Sequence, residues 1–290
     1  MGGVGIDLAR QDPVVAGQLR VLAADARIVF VTGLPGTGKS LVIRELARTA
    51  AARGRTVHTV QWDVARPLFE AAPAGRRYPL DNGVTHPAIR RAAGLWVRDA
   101  VGGWHAAHPG AADLLIGEVP LVGGRFIELA KPAPDPAEPV LTAASCRFVI
   151  PVPSHEVRTV MERERDRRMA QPVHARERED APSHVLRALW TELAGVARTL
   201  RLSEAAAGAV YDPAVYEAVY RRVLRRRHAE TLPLTRVLDV GDTSAYDLGV
   251  PVRELLPSPG DVESSIRAVE ARYPDMDWVA KEMTQWYSVP

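Results

Sequence analysis

Short apolar runs alternate along this chain with segments whose apolar positions recur at helical spacing. The first run is Arg27-Ile28-Val29-Phe30-Val31-Thr32. Four more follow: Thr56 through Trp62, Asp113 through Glu118, Cys146 through Ile150, and Leu234 through Val240. Each is short, apolar or β-branched, and bounded by turn residues, which predicts a strand. Helical spacing appears over 88–101, 126–130, 156–169 and 185–202, with an extra helix expected at 12–26. Strands that alternate with helices predict an α/β fold built from βαβ units: a doubly wound, five-stranded parallel sheet buried on both faces. The proline-rich piece 131–139 reads as a surface loop, because the alternation resumes after it.

The pattern predicts one domain over 1–290, with its sheet core in 27–151 and 231–256. Residues 152–181 open with a helical segment rich in arginine, and 257–290 read as a helical tail whose Trp278, Trp286 and Tyr287 pack on the core. Between them, 183–230 reads as a helical insertion. There Leu186, Leu189, Trp190, Leu193, Val196, Ala197 and Leu200 form one stripe, and a second helix over 213–227 ends in a basic run.

Composition adds limits. The 290 residues are 47% hydrophobic and 25% charged, ordinary for a globular chain. Net charge is +2, so composition does not nominate nucleic acid, although only three of the 37 basic residues are lysine. Arginine forks suit phosphate and carboxylate oxygens, and genomic base bias accounts for the excess equally well. The lone Cys146 rules out an intramolecular disulfide framework. No apolar run reaches about 18 residues, no signal-peptide layout begins the chain, and Ile6 stands where myristoylation wants Ser or Thr. These features predict a soluble, cytoplasmic protein with no membrane partner.

The first strand runs into Gly33-Leu34-Pro35-Gly36-Thr37-Gly38-Lys39-Ser40, then the helical Leu41-Val42-Ile43. This is G-x-x-x-x-G-K-[ST] between a strand and a helix, the context in which backbone N–H groups cradle phosphates. Gly33, Pro35, Gly36, Thr37, Gly38, Lys39, Ser40 and Leu41 are therefore the expected nucleotide-binding residues. Lys39 reaches the β- and γ-phosphates and Ser40 ligates Mg²⁺, so ATP or another nucleoside triphosphate and Mg²⁺ are the expected cofactors.

After the second strand, Asp63 puts a carboxylate beside the expected γ-phosphate, with Arg66 three residues on. Such a pair can accept a hydroxyl proton and hold an acceptor, or Asp63 can simply cap the next helix. Here the chain resembles the P-loop kinases of nucleosides, nucleotides and small metabolites, including adenylate-kinase, shikimate-kinase and gluconate-kinase relatives. The resemblance implies the strand order 2-3-1-4-5, Asp63 as base and Arg66 as acceptor clamp. It is supported by Val152-Pro153 followed by a helix rich in Arg158, Arg163, Arg165, Arg167 and Arg168, similar to the start of the kinase lid. Arg163 and Arg167 on one face are the expected catalytic pair; Arg165 and Arg168 occupy another, and Glu162, Glu164 and Asp166 leave open a helix laced with i,i+4 pairs. Glu118, ending the third strand, stands where many P-loop proteins hold Mg²⁺ through water.

The acceptor span of such kinases corresponds to a stretch holding Arg76, Arg77, Tyr78, Asp81, Asn82, His86, Arg90, Arg91, Trp96 and Arg98. From it His86 and Arg90, with Arg125 from the following turn, are the expected substrate residues. Gly241-Asp242-Thr243-Ser244 falls where the relatives cradle adenine. The expected activity is transfer of a γ-phosphate to a small-molecule acceptor. Its rivals are an ATPase switch using Glu118 to activate water, and a kinase acting on RNA through the basic run 221–228.

Overall fold

The computed structural model describes residues 8–81, 83–204, 210–241 and 243–290. Ile6, Asn82 and Asp242, named above, lie outside the described residues. Six strands form one sheet: β1 (Ile28–Thr32), β2 (Thr56–Gln61), β3 (Asp113–Val119), β4 (Cys146–Pro153), β5 (Ala229–Leu234) and β6 (Val252–Glu254). Their spatial order is β5-β4-β1-β3-β2-β6, and every neighbouring pair is parallel.

Two expectations are corrected here. The sheet has six strands, not five, because β6 adds to the β2 edge through Val57↔Val252 and His58↔Arg253, so the order 2-3-1-4-5 gains a member outside β2. With one apolar residue in three, β6 leaves no hydrophobic signature; backbone pairing makes it. The fifth strand is Ala229–Leu234, and 235–240 is loop. Pro233 disguised it, but β5 pairs only with β4, so an edge strand absorbs the missing N–H.

The helices are α1 (Leu8–Gln11), α2 (Pro13–Asp25), α3 (Lys39–Ala52), α4 (Trp62–Ala71), α5 (Pro87–Ala107), α6 (Glu138–Leu141), α7 (His155–Ala170), α8 (Ser183–Thr199), α9 (Pro213–Val223), α10 (Pro259–Arg272) and α11 (Met276–Thr284). Their starts follow from local chemistry. Asp12 accepts from Val15 N at 3.1 Å ahead of Pro13, and Ser154 accepts from Val157 N at 3.2 Å. Asp212 accepts from Ala214 N at 2.8 Å ahead of Pro213. The expected helix at 126–130 is a single 3-10 turn, Ile127–Leu129, because Phe126 sits in the left-handed region at φ 59°.

The sheet is buried on both sides, as its continuous apolar strands require. Ile28 and Phe30 of β1 join a core with α4, α5, α9, α10 and α11, whereas Val29 and Val31 join a second core with α2 and α3. Residues 183–230 supply α8 and α9 and run into β5, whose last four residues lie in the segment 231–256 expected to belong to the sheet core. In the tail Trp286 is buried with Nε1 donating to Glu192 at 3.3 Å. Trp278 instead is exposed, with Lys281 5.3 Å from its ring centre, contrary to the expected packing. Among the described residues, no helix is long and apolar enough to cross a membrane.

One ion pair lies inside the first core. Glu128, 3% exposed, accepts from Arg91 Nη1 at 2.7 Å, and its Oε2 occupies the space above Gly94. A Cβ on Gly94 would meet that oxygen at 1.6 Å. Gly94→Ala therefore lowers unfolding free energy by about 1–3 kcal/mol, measured by urea titration. A stability equal to or above that of the native chain would contradict this packing.

Candidate functional site

The carboxyl ends of β1, β2 and β3 meet at one edge of the sheet, and a cleft of about 450 Å³ opens over it. Ligands in open α/β sheets bind at such an edge. The glycine loop joins β1 to α3 and forms the floor. Gly33, Gly36 and Gly38 have φ of 151°, 75° and 89°, so the loop needs residues without side chains. Space imposes the same choice: a Cβ on Gly33 would meet Tyr216 Oη at 2.2 Å, and one on Gly38 would meet Leu234 Cδ1 at 2.8 Å. Thr37 Oγ1 donates to Leu34 O at 2.8 Å and ties the loop internally.

Lys39 is 6% exposed, donates to Leu34 O at 3.0 Å and lies 3.4 Å from Glu118 Oε1. Burial pushes the lysine pKa down, while Glu118 and Asp63 push it back up. Burial pushes Glu118 up, against the pull of Lys39. Register explains the meeting: Glu118 pairs with Val31 on one side and Gln61 on the other, so β3 delivers its carboxylate between the loop and the end of β2. Asp63 sits exposed in the first turn of α4, where Gln61 holds the cap position without a side-chain bond. The helix-capping alternative for Asp63 thus has no bond to support it, and its carboxylate faces the cleft.

Lys39, Ser40, Leu41, Asp63, Arg66, Glu118 and Arg125 all line this cleft. Arg66 donates to Glu70 Oε2 at 2.8 Å. Arg125 donates to Val122 O at 3.1 Å, and burial lowers its pKa. Its turn is strained: Leu121 and Phe126 take φ of 64° and 59° without being glycine, and Gly123 and Gly124 lie between them.

Four expected residues are placed elsewhere. His86 caps α5, its Nδ1 accepting from Ala88 N at 3.1 Å, and stands outside the cleft lining. Arg90 lies behind the turn, where it donates to Gly123 O; burial and Arg125 hold its pKa to about 10. Arg163 is exposed, and Arg167 is exposed and paired with Glu164. The face of α7 turned to the cleft is Val157, Val160, Met161, Glu164, Arg165 and Arg168, so Arg165 and Arg168 line it where Arg163 and Arg167 were expected. The signal lay in the sequence: Val157, Val160 and Met161 mark the apolar stripe, and i+3/i+4 steps from it reach Glu164, Arg165 and Arg168.

These two arginines differ in what they have left to offer. Arg168 is consumed by Glu164 at 2.7 Å, Glu177 at 3.2 Å and the carbonyls of Thr243 and Gly241 at 2.9 and 3.0 Å. It braces the cover. Arg165 meets Asp180 Oδ1, which also accepts from Tyr246 Oη, and its buried Nε has no partner. Hydrogen bonds from Arg167 and Arg168 hold the Glu164 carboxyl down to about 2. Arg176 reaches across from the 3-10 helix Ala175–Glu179 to Gln61 Oε1 at 3.4 Å, so residues 152–181 close over the cleft. Arg176, Asp180 and Tyr246 were not anticipated, since only the folded cover brings them to this edge.

The expected adenine-edge segment contributes Thr243 to the lining, with Val237, Leu238 and Val240 beside it. The basic run fares differently: Arg221 pairs with Glu217, and Arg227 is buried against Glu138. Comparison with protein families, with curated proteins and with solved structures finds none that matches this chain.

Proposed function

We propose that this chain is an ATP- and Mg²⁺-dependent phosphotransferase, a P-loop kinase in the sense of the resemblance above, acting on a hydroxyl of a small molecule. The observation that carries the reading is convergence. A glycine loop with a buried lysine, an exposed carboxylate at a strand end and an arginine with a free buried N–H face one cleft of metabolite size.

Loop N–H groups and Lys39 hold the phosphates, with the start of α3 adding positive potential. Ser40 and Glu118 offer a hydroxyl and a carboxylate oxygen in the same cleft, hard donors that suit Mg²⁺. That ion, when bound, offsets charge on the β- and γ-phosphates. Asp63 accepts the acceptor's proton as its oxygen bonds to the γ-phosphorus and the bond to the β-phosphate oxygen breaks. Arg165 turns from Asp180 toward the transferring group, and Arg66 and Arg125 hold the acceptor from the far wall. Arg90 supports Arg125 from behind.

The test is transfer of label from [γ-³²P]ATP into pooled nucleosides, nucleotides, sugars, other hydroxylated metabolites and RNA. The expected result is a labelled small-molecule product, reduced about 10²–10⁴-fold in Asp63→Ala and strongly in Arg165→Ala, but little changed in Arg163→Ala. Release of free phosphate alone, indifferent to every acceptor and to Asp63→Ala, would replace this reading with an ATPase switch. Label in RNA alone would move the acceptor to nucleic acid.

A further inference from the structure

At the opposite end of the sheet, three elements bring together His58 of β2, His108 just after α5, and Asp113 at the start of β3. One ligand atom from each lies within 4.8 Å of the others, the one such grouping among the described residues. We propose that these three residues form a zinc site, separate from the nucleotide cleft.

The chemistry of the donors selects the ion. Two imidazole nitrogens and one carboxylate suit a borderline cation such as Zn²⁺, whereas Mg²⁺ and Ca²⁺ prefer oxygen throughout. His58 Nε2 stands 2.9 Å from Asp113 Oδ1. Neighbouring ligands on a tetrahedral zinc, with bonds of about 2.0–2.1 Å, stand about 3.3 Å apart, so this pair needs only a small opening. His108 Nδ1 is 2.8 Å from Trp104 O. A carbonyl only accepts, so Nδ1 carries the hydrogen, and Nε2 of the neutral ring keeps its lone pair. A ligating histidine anchored in this way by a backbone carbonyl is the usual outer arrangement of zinc sites.

The surroundings hold the ligands in place. His58 is 3% exposed, and the His108 ring stacks on Trp104 with centres 5.1 Å apart. His58 meets the same two rings edge-on at 5.5 and 4.5 Å. Arg27 donates to the carbonyls of His108 and Pro109, and Arg55 Nη2 donates to Asp113 O at 2.7 Å. Both arginines are thus engaged by backbone oxygens of the ligand-bearing segments. Asp113, with 19% of its side chain exposed, leaves one side open for water as a fourth ligand.

At about 3.3 Å per strand residue, His58 lies about 10 Å from Gln61 and Asp113 about 17 Å from Glu118. The ion therefore has no part in the proposed transfer; it ties β2, β3 and the end of α5 together.

The full chain, stripped with a chelator and equilibrated with Zn²⁺, is expected to retain a single zinc by elemental analysis. It should bind Co²⁺ with the intense visible bands of four-coordinate geometry, and its melting temperature should rise on adding zinc. His108→Gln and Asp113→Asn should each weaken zinc binding at least about tenfold, while Glu118→Gln in the cleft keeps it. Zinc uptake that survives His108→Gln, or that disappears with Glu118→Gln, would overturn the site. So would a native chain that takes up neither metal, a result independent of how the variants fold.

Discussion

Replacing Lys39 with alanine is expected to reduce γ-phosphate transfer about 10²–10³-fold while the chain stays folded. Lys39 is the one lysine facing the cleft, and its ammonium is already desolvated, where a charge on a transferring phosphoryl group interacts most strongly. A second effect adds to the first. Burial raises the Glu118 pKa and Lys39 lowers it, so without the lysine Glu118 titrates higher still. The carboxylate proposed for Mg²⁺ then holds its proton nearer neutral pH, and the variant should need more Mg²⁺ for half-maximal rate. Lys39→Met, which keeps the stem and removes the charge, should behave like alanine. Steady-state transfer rates across a Mg²⁺ series test both parts. A rate within a few-fold of native at saturating Mg²⁺ would remove Lys39 from the chemistry and, with it, the phosphotransferase reading.

The largest expected loss of stability comes from Arg227, outside any site. Its side chain is 0% exposed. Nη1 and Nη2 meet the two oxygens of Glu138 at 2.8 and 3.0 Å, while Nε and Nη2 donate to the carbonyls of Leu129 and Lys131 at 2.8 and 2.9 Å. Arg98 grips the same segment through Asp135 at 2.7 Å and Glu138 at 2.9 Å. Arg227→Ala leaves the Leu129 carbonyl and half a carboxylate without donors, with Lys131 O kept by Arg98 Nη1 at 2.7 Å, so it should cost about 3–5 kcal/mol by urea denaturation. Arg227→Lys should recover little, because an ammonium cannot make the two-point contact. Arg222→Ala, at an exposed neighbour, should stay within about 0.5 kcal/mol.

The same network sets part of the acid response. Burial alone would raise Glu138, but hydrogen bonds from Arg227 and Arg98 outweigh it and hold the carboxyl to about 2. A depressed carboxyl stabilises the fold above its unfolded pKa, about 4.3, and that stabilisation disappears as pH falls toward 2. Unfolding free energy should therefore drop between about pH 5 and pH 2, and less steeply in Arg227→Ala. Equal acid slopes in the two proteins would contradict this assignment.

The sequence alone determined the α/β class, the parallel sheet and the glycine loop, because each rests on local rules. Continuous apolar runs such as Ile28 to Thr32 have no stable place except a strand covered on both faces. A loop with glycine at 33, 36 and 38 before Lys39 satisfies its backbone geometry wherever the strand and helix lie. Caps such as Asp12 with Pro13, and Ser154, are equally local. Strands whose identity depends on a neighbour were not legible. β5 hides behind Pro233, and β6 is held by pairing with β2.

Tertiary structure decided which charges converge. The arginines of α7 share a segment, but packing of the apolar stripe Val157, Val160 and Met161 turns Arg165 and Arg168 to the cleft and leaves Arg163 and Arg167 exposed. His86 and Arg90, 23 and 27 residues beyond Asp63, become a helix cap and a support for the Gly123 turn. The basic run at 221–228 divides into a surface pair and a buried strut, because the fold carries Glu138 to Arg227 from 89 positions away. His58, His108 and Asp113 give no sequence signal at all, since parallel pairing of β2 with β3 and the return from α5 are what join them. Periodicity and backbone geometry are written in neighbouring residues; the meeting of distant charges is set by register and helix rotation, which only the packed core fixes.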